Sequence, residues 1–266
     1  MKFRAGVTLI ALCCAASEAR GQEEGIGPAP SEARAVVARA LQAMGGREAV
    51  AALQVAVMSV DPAGGELRER HTLVVPRRLM HYGSRRPSGA GFDVVLGGQG
   101  GFLCDRDKEG RATYVEDLAP DDVLEGGYER DVLFMPLLLH GLLDQRARMD
   151  YRGRNTAGEE VVRALIEAPA GGEGRPFTIR LRFDAKTGLL AAAMGVVPWG
   201  QDKGKKRYCE YHDYAPVEGG SGIMLPTRLA DQRGSDEHPR TFRVRWTIDP
   251  KLPPDLFARP EVSERE

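Results

Sequence analysis

Two segments in the C-terminal half of the chain alternate almost without exception. In one, Ile179, Leu181 and Phe183 alternate with Thr178, Arg180 and Arg182; in the other, Phe242, Val244, Trp246 and Ile248 alternate with Thr241, Arg243, Arg245 and Thr247. Successive side chains of a strand point to opposite faces, so each segment has one apolar face and one wet, strongly basic face. Half-exposed strands of this kind belong to antiparallel sheets, because parallel sheets are covered on both sides. The apolar side then needs a cover, and the rest of the chain has to supply it.

Short runs with the same texture fill most of the sequence. Strands are expected over 55–60, 66–75, 78–83, 92–97, 101–105 and 112–116, then over 160–168, 177–184, 189–197, 207–213, 223–230 and 240–248. Turn residues separate them, including Pro62 with Gly64 and Gly65, Pro76, and the Gly97–Gly101 cluster. Intervals this short leave no room for crossover helices. Roughly a dozen such strands form a highly curved sheet or open barrel.

Two stretches change the period. Ser31 stands as a candidate N-cap before a helix over 34–44, in which Val37, Ala40, Leu41 and Met44 recur at helical spacing. Gly45 and Gly46 end it, and a second helical turn over 47–53 leads into the first strand. Residues 121–148 read as a helix pair divided near Pro136, with Leu133, Phe134, Leu137, Leu138, Leu142 and Leu143 forming a wide apolar face. Its apolar run is shorter than the roughly 20 residues a bilayer crossing needs, so it reads as a lid that docks on something apolar.

Composition excludes several classes. The 266 residues carry 37 Lys and Arg against 38 Asp and Glu, with 42% hydrophobic residues, which is neither a disordered profile nor the basic profile of a nucleic-acid binder. Lys2, Arg4, an apolar run over 5–16 and small residues after it read as a secretory signal within 1–21, cleaved somewhere over 16–21. A linker over 22–30, one domain over 31–260 and a flexible tail over 261–266 follow. The expected location is periplasmic or secreted. A lipid anchor at Cys13 or Cys14 is less favoured, because Leu12 occupies a position where a small residue is usual.

The chain carries no complete catalytic or metal-binding signature. The segment over 219–223 lacks the final glycine of a nucleophile elbow, and the Gly97–Gly101 cluster lacks the Lys-Ser/Thr ending of a phosphate loop. His71, His81, His140, His212 and His238 are scattered, and Cys209, His212 and Asp213 fit a strand with alternating faces better than a metal site. The basic run over 203–207 reads as a solvated loop, with contact to anionic lipid headgroups as the alternative. Neither an enzyme activity nor a cofactor or metal is expected. Cys104 and Cys209 either pair, closing a loop of about 100 residues that would stabilise by roughly 4–5 kcal/mol, or stay separate.

The order of pieces resembles the LolA/LolB superfamily of periplasmic lipoprotein-binding proteins. It runs from the helix, double glycine and short helix of "ARALQAMGGREAVAALQ", through Asp184, Thr187, Gly188 and Leu189 and then Tyr211, Asp213 and Tyr214 with Leu225 and Pro226, to Asp249, Pro250, Asp255, Leu256, Phe257 and Pro260. The resemblance implies an unclosed antiparallel β-barrel, mainly β, plugged on its concave side by an N-terminal helix and a central helical lid. It implies a non-enzymatic carrier that binds a lipid or acylated protein, makes peripheral membrane contact, and works as a monomer beside other envelope proteins. Leu133, Phe134, Leu137, Leu138, Leu142, Phe183, Trp199 and Trp246 are then the candidates to line the cavity, with ordinary core packing as the alternative for each. Arg68 and Arg70 are the candidates, by position, for a strand arginine that engages the lid. The competing reading is a structural or sensory envelope domain of the same fold, its core permanently closed, that binds a protein partner through its surface.

Overall fold

A computed structural model describes residues 31–61, 67–97, 100–143, 147–166, 176–219, 222–234 and 239–262. The expected signal and linker, parts of the loops over 97–101 and 219–223, His238 and the end of the tail lie outside the described residues.

Helices α1 (Ser31–Ala43) and α2 (Arg47–Ala51) precede strands β1 (Val55–Asp61), β2 (Arg68–Val74), β3 (Leu79–Arg85), β4 (Gly91–Leu96), β5 (Gly101–Arg106) and β6 (Ala112–Asp117). Helices α3 (Pro120–Leu133) and α4 (Met135–Leu143) follow. The chain returns as β7 (Arg148–Arg154), β8 (Glu160–Ile166), β9 (Phe177–Phe183), β10 (Leu190–Val196), β11 (Lys206–Pro216), β12 (Met224–Arg233) and β13 (Arg240–Ile248). All thirteen strands form one antiparallel sheet in the order β6-β5-β4-β3-β2-β1-β13-β12-β11-β10-β9-β8-β7. Two meanders are thus joined at their middle by β1 against β13, and β6 and β7 are left as edges. The α3–α4 pair is the connection between those two edges, so it must cross the mouth of the open sheet.

The sheet is curled around α3. Gly126 packs against Leu96 of β4, while Tyr128, two residues further along the helix, packs against Gly195 of β10. Seven strand steps separate β4 from β10, or roughly 34 Å if the sheet were flat. One helix touches both only because the strands approach each other from opposite sides.

Strand β7 was not expected from the sequence. Arg148–Arg154 pairs with β8 alone, and an edge strand carries charges rather than a clean alternation. The divided helix pair was expected; the break falls at Phe134, with Pro136 in the first turn of α4, where a missing N–H costs nothing. Six of the nine α4 residues are buried, so the helix is apolar all round and belongs to the core. The Arg34 guanidinium on α1 donates to the Leu143 carbonyl at 2.7 Å, satisfying the end of α4. Among the described residues no helix is long and apolar enough to cross a membrane.

Two residues of the quoted motifs prove to be structural. The Asp184 carboxylate accepts the backbone N–H groups of Lys186 and Thr187 at 2.8 and 2.7 Å, and Gly188 at φ +75° completes the β9–β10 turn. Asp249 accepts the N–H groups of Gln54 and Val55 at 2.9 and 2.7 Å, clasping the last strand to the first.

The main core lies on the inner face, under the helices. A smaller cluster of Val95, Phe102, Cys104 and Ala112 lies on the outer face, against Phe257 of the C-terminal segment. This division decides between the two readings of the cysteines. Cys104 and Cys209 are both free and buried, on opposite faces of the sheet and seven strand steps apart.

Candidate functional site

The candidate site is a pocket of about 760 Å³ between α3 and the inner face of β1–β4 and β11–β13. One wall is apolar, built from Val60, Met80, Val94, Leu96, Leu133 and Phe242. The alternation of each strand places these side chains inward, and Gly126 lets α3 approach Leu96 closely enough to bound the pocket, since a Cβ there would lie 2.7 Å from the leucine Cδ1.

The opposite end is charged. Arg207 is 2% exposed and pairs with Asp231, while Glu129 of α3 stands 3.8 Å from the Arg207 Nε and 3.5 Å from Arg233. Arg233 also reaches Asp231 at 3.5 Å, and Arg240 lines the same pocket. Burial pulls the Arg207 guanidinium below its ordinary value, with Arg233 adding to the effect and Glu129 opposing it. Arg207 closes the basic run over 203–207, so the expectation that the run is wholly solvated is corrected at this position: β11 turns its side chain inward.

Glu69, His71 and Tyr82 form a second polar group. His71 stacks on Tyr82 at 4.6 Å and faces the edge of Phe134 at 6.3 Å. Burial lowers the pKa of His71 despite Glu69 beside it, and burial raises the Tyr82 phenol to about 12. At neutral pH the cluster therefore presents a neutral imidazole and a protonated phenol beside one carboxylate.

Leu133 lines the pocket. The other seven cavity candidates do not. Phe134, Leu137, Leu138, Leu142, Phe183 and Trp246 are at most 9% exposed within one continuous core, and Trp199 packs on Phe177 at 5.7 Å. Because α4 is apolar over most of its length it packs into the core, and the open space falls beside α3, whose first two turns are polar. Arg68 and Arg70 do not engage the lid. Residues 68, 70 and 72 point outward while 69, 71 and 73 point inward, so both arginines line a groove on the other side of the sheet. Polar contacts to the C-terminal turn of α3 come instead from Arg78, whose guanidinium donates to Asp131 at 3.2 Å, and from Tyr211, whose hydroxyl donates to the Val132 carbonyl. Arg130, buried beside Asp131, donates to that carboxylate and to the Arg78 carbonyl.

One trio of carboxylates, Glu125, Glu129 and Asp202, converges within 4.8 Å. The i, i+4 spacing on α3 was visible in the sequence, but the approach of Asp202 was not. Glu129 already faces Arg207 and Arg233, and Asp202 pairs with Lys205. Cys209 and His212 lie on opposite faces of β11, as the alternation required: the thiol is in the core and the imidazole faces Glu210 at 3.0 Å.

Fold and pocket together define a class: an open, helix-plugged antiparallel sheet with an amphiphilic cavity beside α3. No family model and no curated protein matches the chain. Among solved structures it is similar to a DUF1329 family protein from Desulfovibrio piger, at 14% identity over 85% of this chain and 96% of that one, with a TM-score of 0.38.

Proposed function

We propose that the protein is a non-enzymatic envelope protein that binds a lipid or an acylated protein in the pocket beside α3. The observation that carries this reading is the pairing of an apolar wall with a guanidinium-rich end in a cavity of about 760 Å³, a size typical of ligand pockets. An amphiphile matches both ends: each methylene on the wall contributes about 0.8 kcal/mol, and an anionic head meets Arg240, beside the Arg233 that Glu129 and Asp231 already hold. Extraction of the protein purified from its own envelope, followed by mass spectrometry, is the direct test. An empty protein that also takes up neither a fluorescent fatty acid nor a diacylated peptide would overturn the proposal.

A second reading has its own support. The helix pair is held by Phe134 at 0% exposure, by the buried Arg130–Asp131 pair and by Tyr211, which favours a closed domain that meets a protein partner through its surface. Hydrogen exchange separates the two: a working lid opens at lower free energy than the sheet, whereas in a closed domain both exchange together.

A further inference from the structure

The outer face carries a second cavity, of about 980 Å³, over β1–β4 and β13, with Pro253 and Leu256 of the C-terminal segment at one side. The strand register explains its shape. Arg245 stands opposite Ser59, Ser59 opposite Arg70, and Arg70 opposite Gly83. Two arginines therefore flank a serine, their Cα atoms two strand spacings or about 10 Å apart, above a floor kept low by small residues. In the adjoining row Arg68 is paired directly with Arg85; Asp93 already holds Arg85, so Arg68 is the member of this like-charged pair left to meet an anion.

Two acids line the groove and both are engaged: Glu69 stands 3.9 Å from the His71 ring. Asp93 takes Arg85 at 2.6 Å, Arg106, and His81 at 3.4 Å. Arg68 and Arg70 have no ion pair among the described residues. Below them, Thr72 is 1% exposed and His81 9% exposed, and both line the cavity with an unpartnered buried atom, Oγ1 and Nδ1. A buried hydroxyl without a partner is destabilising, so this floor asks for a ligand oxygen.

We propose that the outer groove is an anion site that takes a phosphate-bearing group, held by Arg68, Arg70 and Arg245 and met from the floor by Thr72. A carboxylate is satisfied by one guanidinium fork, whereas a phosphoryl group has enough oxygens to accept from several forks and a hydroxyl together. The group is either a soluble phosphate or a phospholipid headgroup.

Titration calorimetry with inorganic phosphate and pyrophosphate at low salt, and cosedimentation with phosphatidylglycerol or phosphatidylcholine vesicles, test the site and its source. The Arg70→Gln/Arg245→Gln double variant is expected to weaken binding at least tenfold and Thr72→Val several-fold, with the circular dichroism spectrum unchanged. Arg180→Gln, an exposed arginine on β9, controls for general charge and is expected to leave binding intact. Binding of the soluble anions alone assigns a soluble phosphate; vesicle binding lost with the same arginines assigns a headgroup. Failure of both probes, or an equal loss in Arg180→Gln, would overturn the site.

Discussion

Phe134, the residue at which α3 gives way to α4, meets Trp246 of β13 edge to face at 5.8 Å. The contact joins the elbow of the helix pair to the strand at the centre of the sheet, next to β1. Phe134 is fully buried, so Phe134→Ala is expected to destabilise by about 3–5 kcal/mol. Chemical denaturation followed by tryptophan emission measures this; a loss below about 1 kcal/mol would mean the elbow is not anchored there.

Asp249 is a clasp rather than a ligand. Its side chain holds two backbone N–H groups at the start of β1, and its own N–H donates to the Val55 carbonyl at 2.8 Å. Asp249→Ala is expected to cost about 1–2 kcal/mol and to raise hydrogen exchange at Gln54 and Val55 first. Unchanged exchange at those two amides would remove the clasp.

Acidification acts first through His71. Its folded pKa is depressed below the ordinary 6.5, chiefly by burial, so between those values the unfolded chain binds more protons than the folded one. Stability is therefore complete above pH 6.5 and drains as pH falls below it. Glu69 and Asp93, both lowered from ordinary values of 4.5 and 3.8, add further losses only below those values. Denaturation midpoints measured from pH 7.5 to 5 should decline in the wild type and flatten in His71→Gln; equal slopes would count against this assignment.

The pocket wall offers a functional test that spares the core. Val94 is partly exposed and lines the cavity, so Val94→Arg is expected to weaken uptake of a fluorescent fatty acid at least tenfold while the fold persists. Uptake that is unaffected would move the ligand away from α3.

The two thiols should behave as buried ones. Burial pushes Cys209 up to about 12 and raises Cys104 as well, which leaves little thiolate at neutral pH. Alkylation without reductant, mapped by mass spectrometry, is expected at both residues only after denaturation. Persistent protection in denaturant would indicate the disulfide that the opposing faces disfavour.

Local periodicity, read along the chain, determined the strands from β1 to β6 and from β8 to β13, the division of the helix pair, and the antiparallel class. These depend on neighbours two or four residues apart, and Ile179–Leu181–Phe183 announces its own inward face. Edge strand β7 stayed hidden because Arg148–Arg154 carries three arginines, an aspartate and a glycine in seven residues and follows directly on the apolar helix pair. Everything that required distant strands to meet was decided by the tertiary structure. Pairing of β1 with β13 brings Arg245, Ser59 and Arg70 into one row; curling brings β4 and β10 onto the same helix; and enclosure of α4 moves the open space from Leu137 and Leu138 to the flank of α3. Alternation assigns each residue a face, but only the closed register and the curvature say which residues share it.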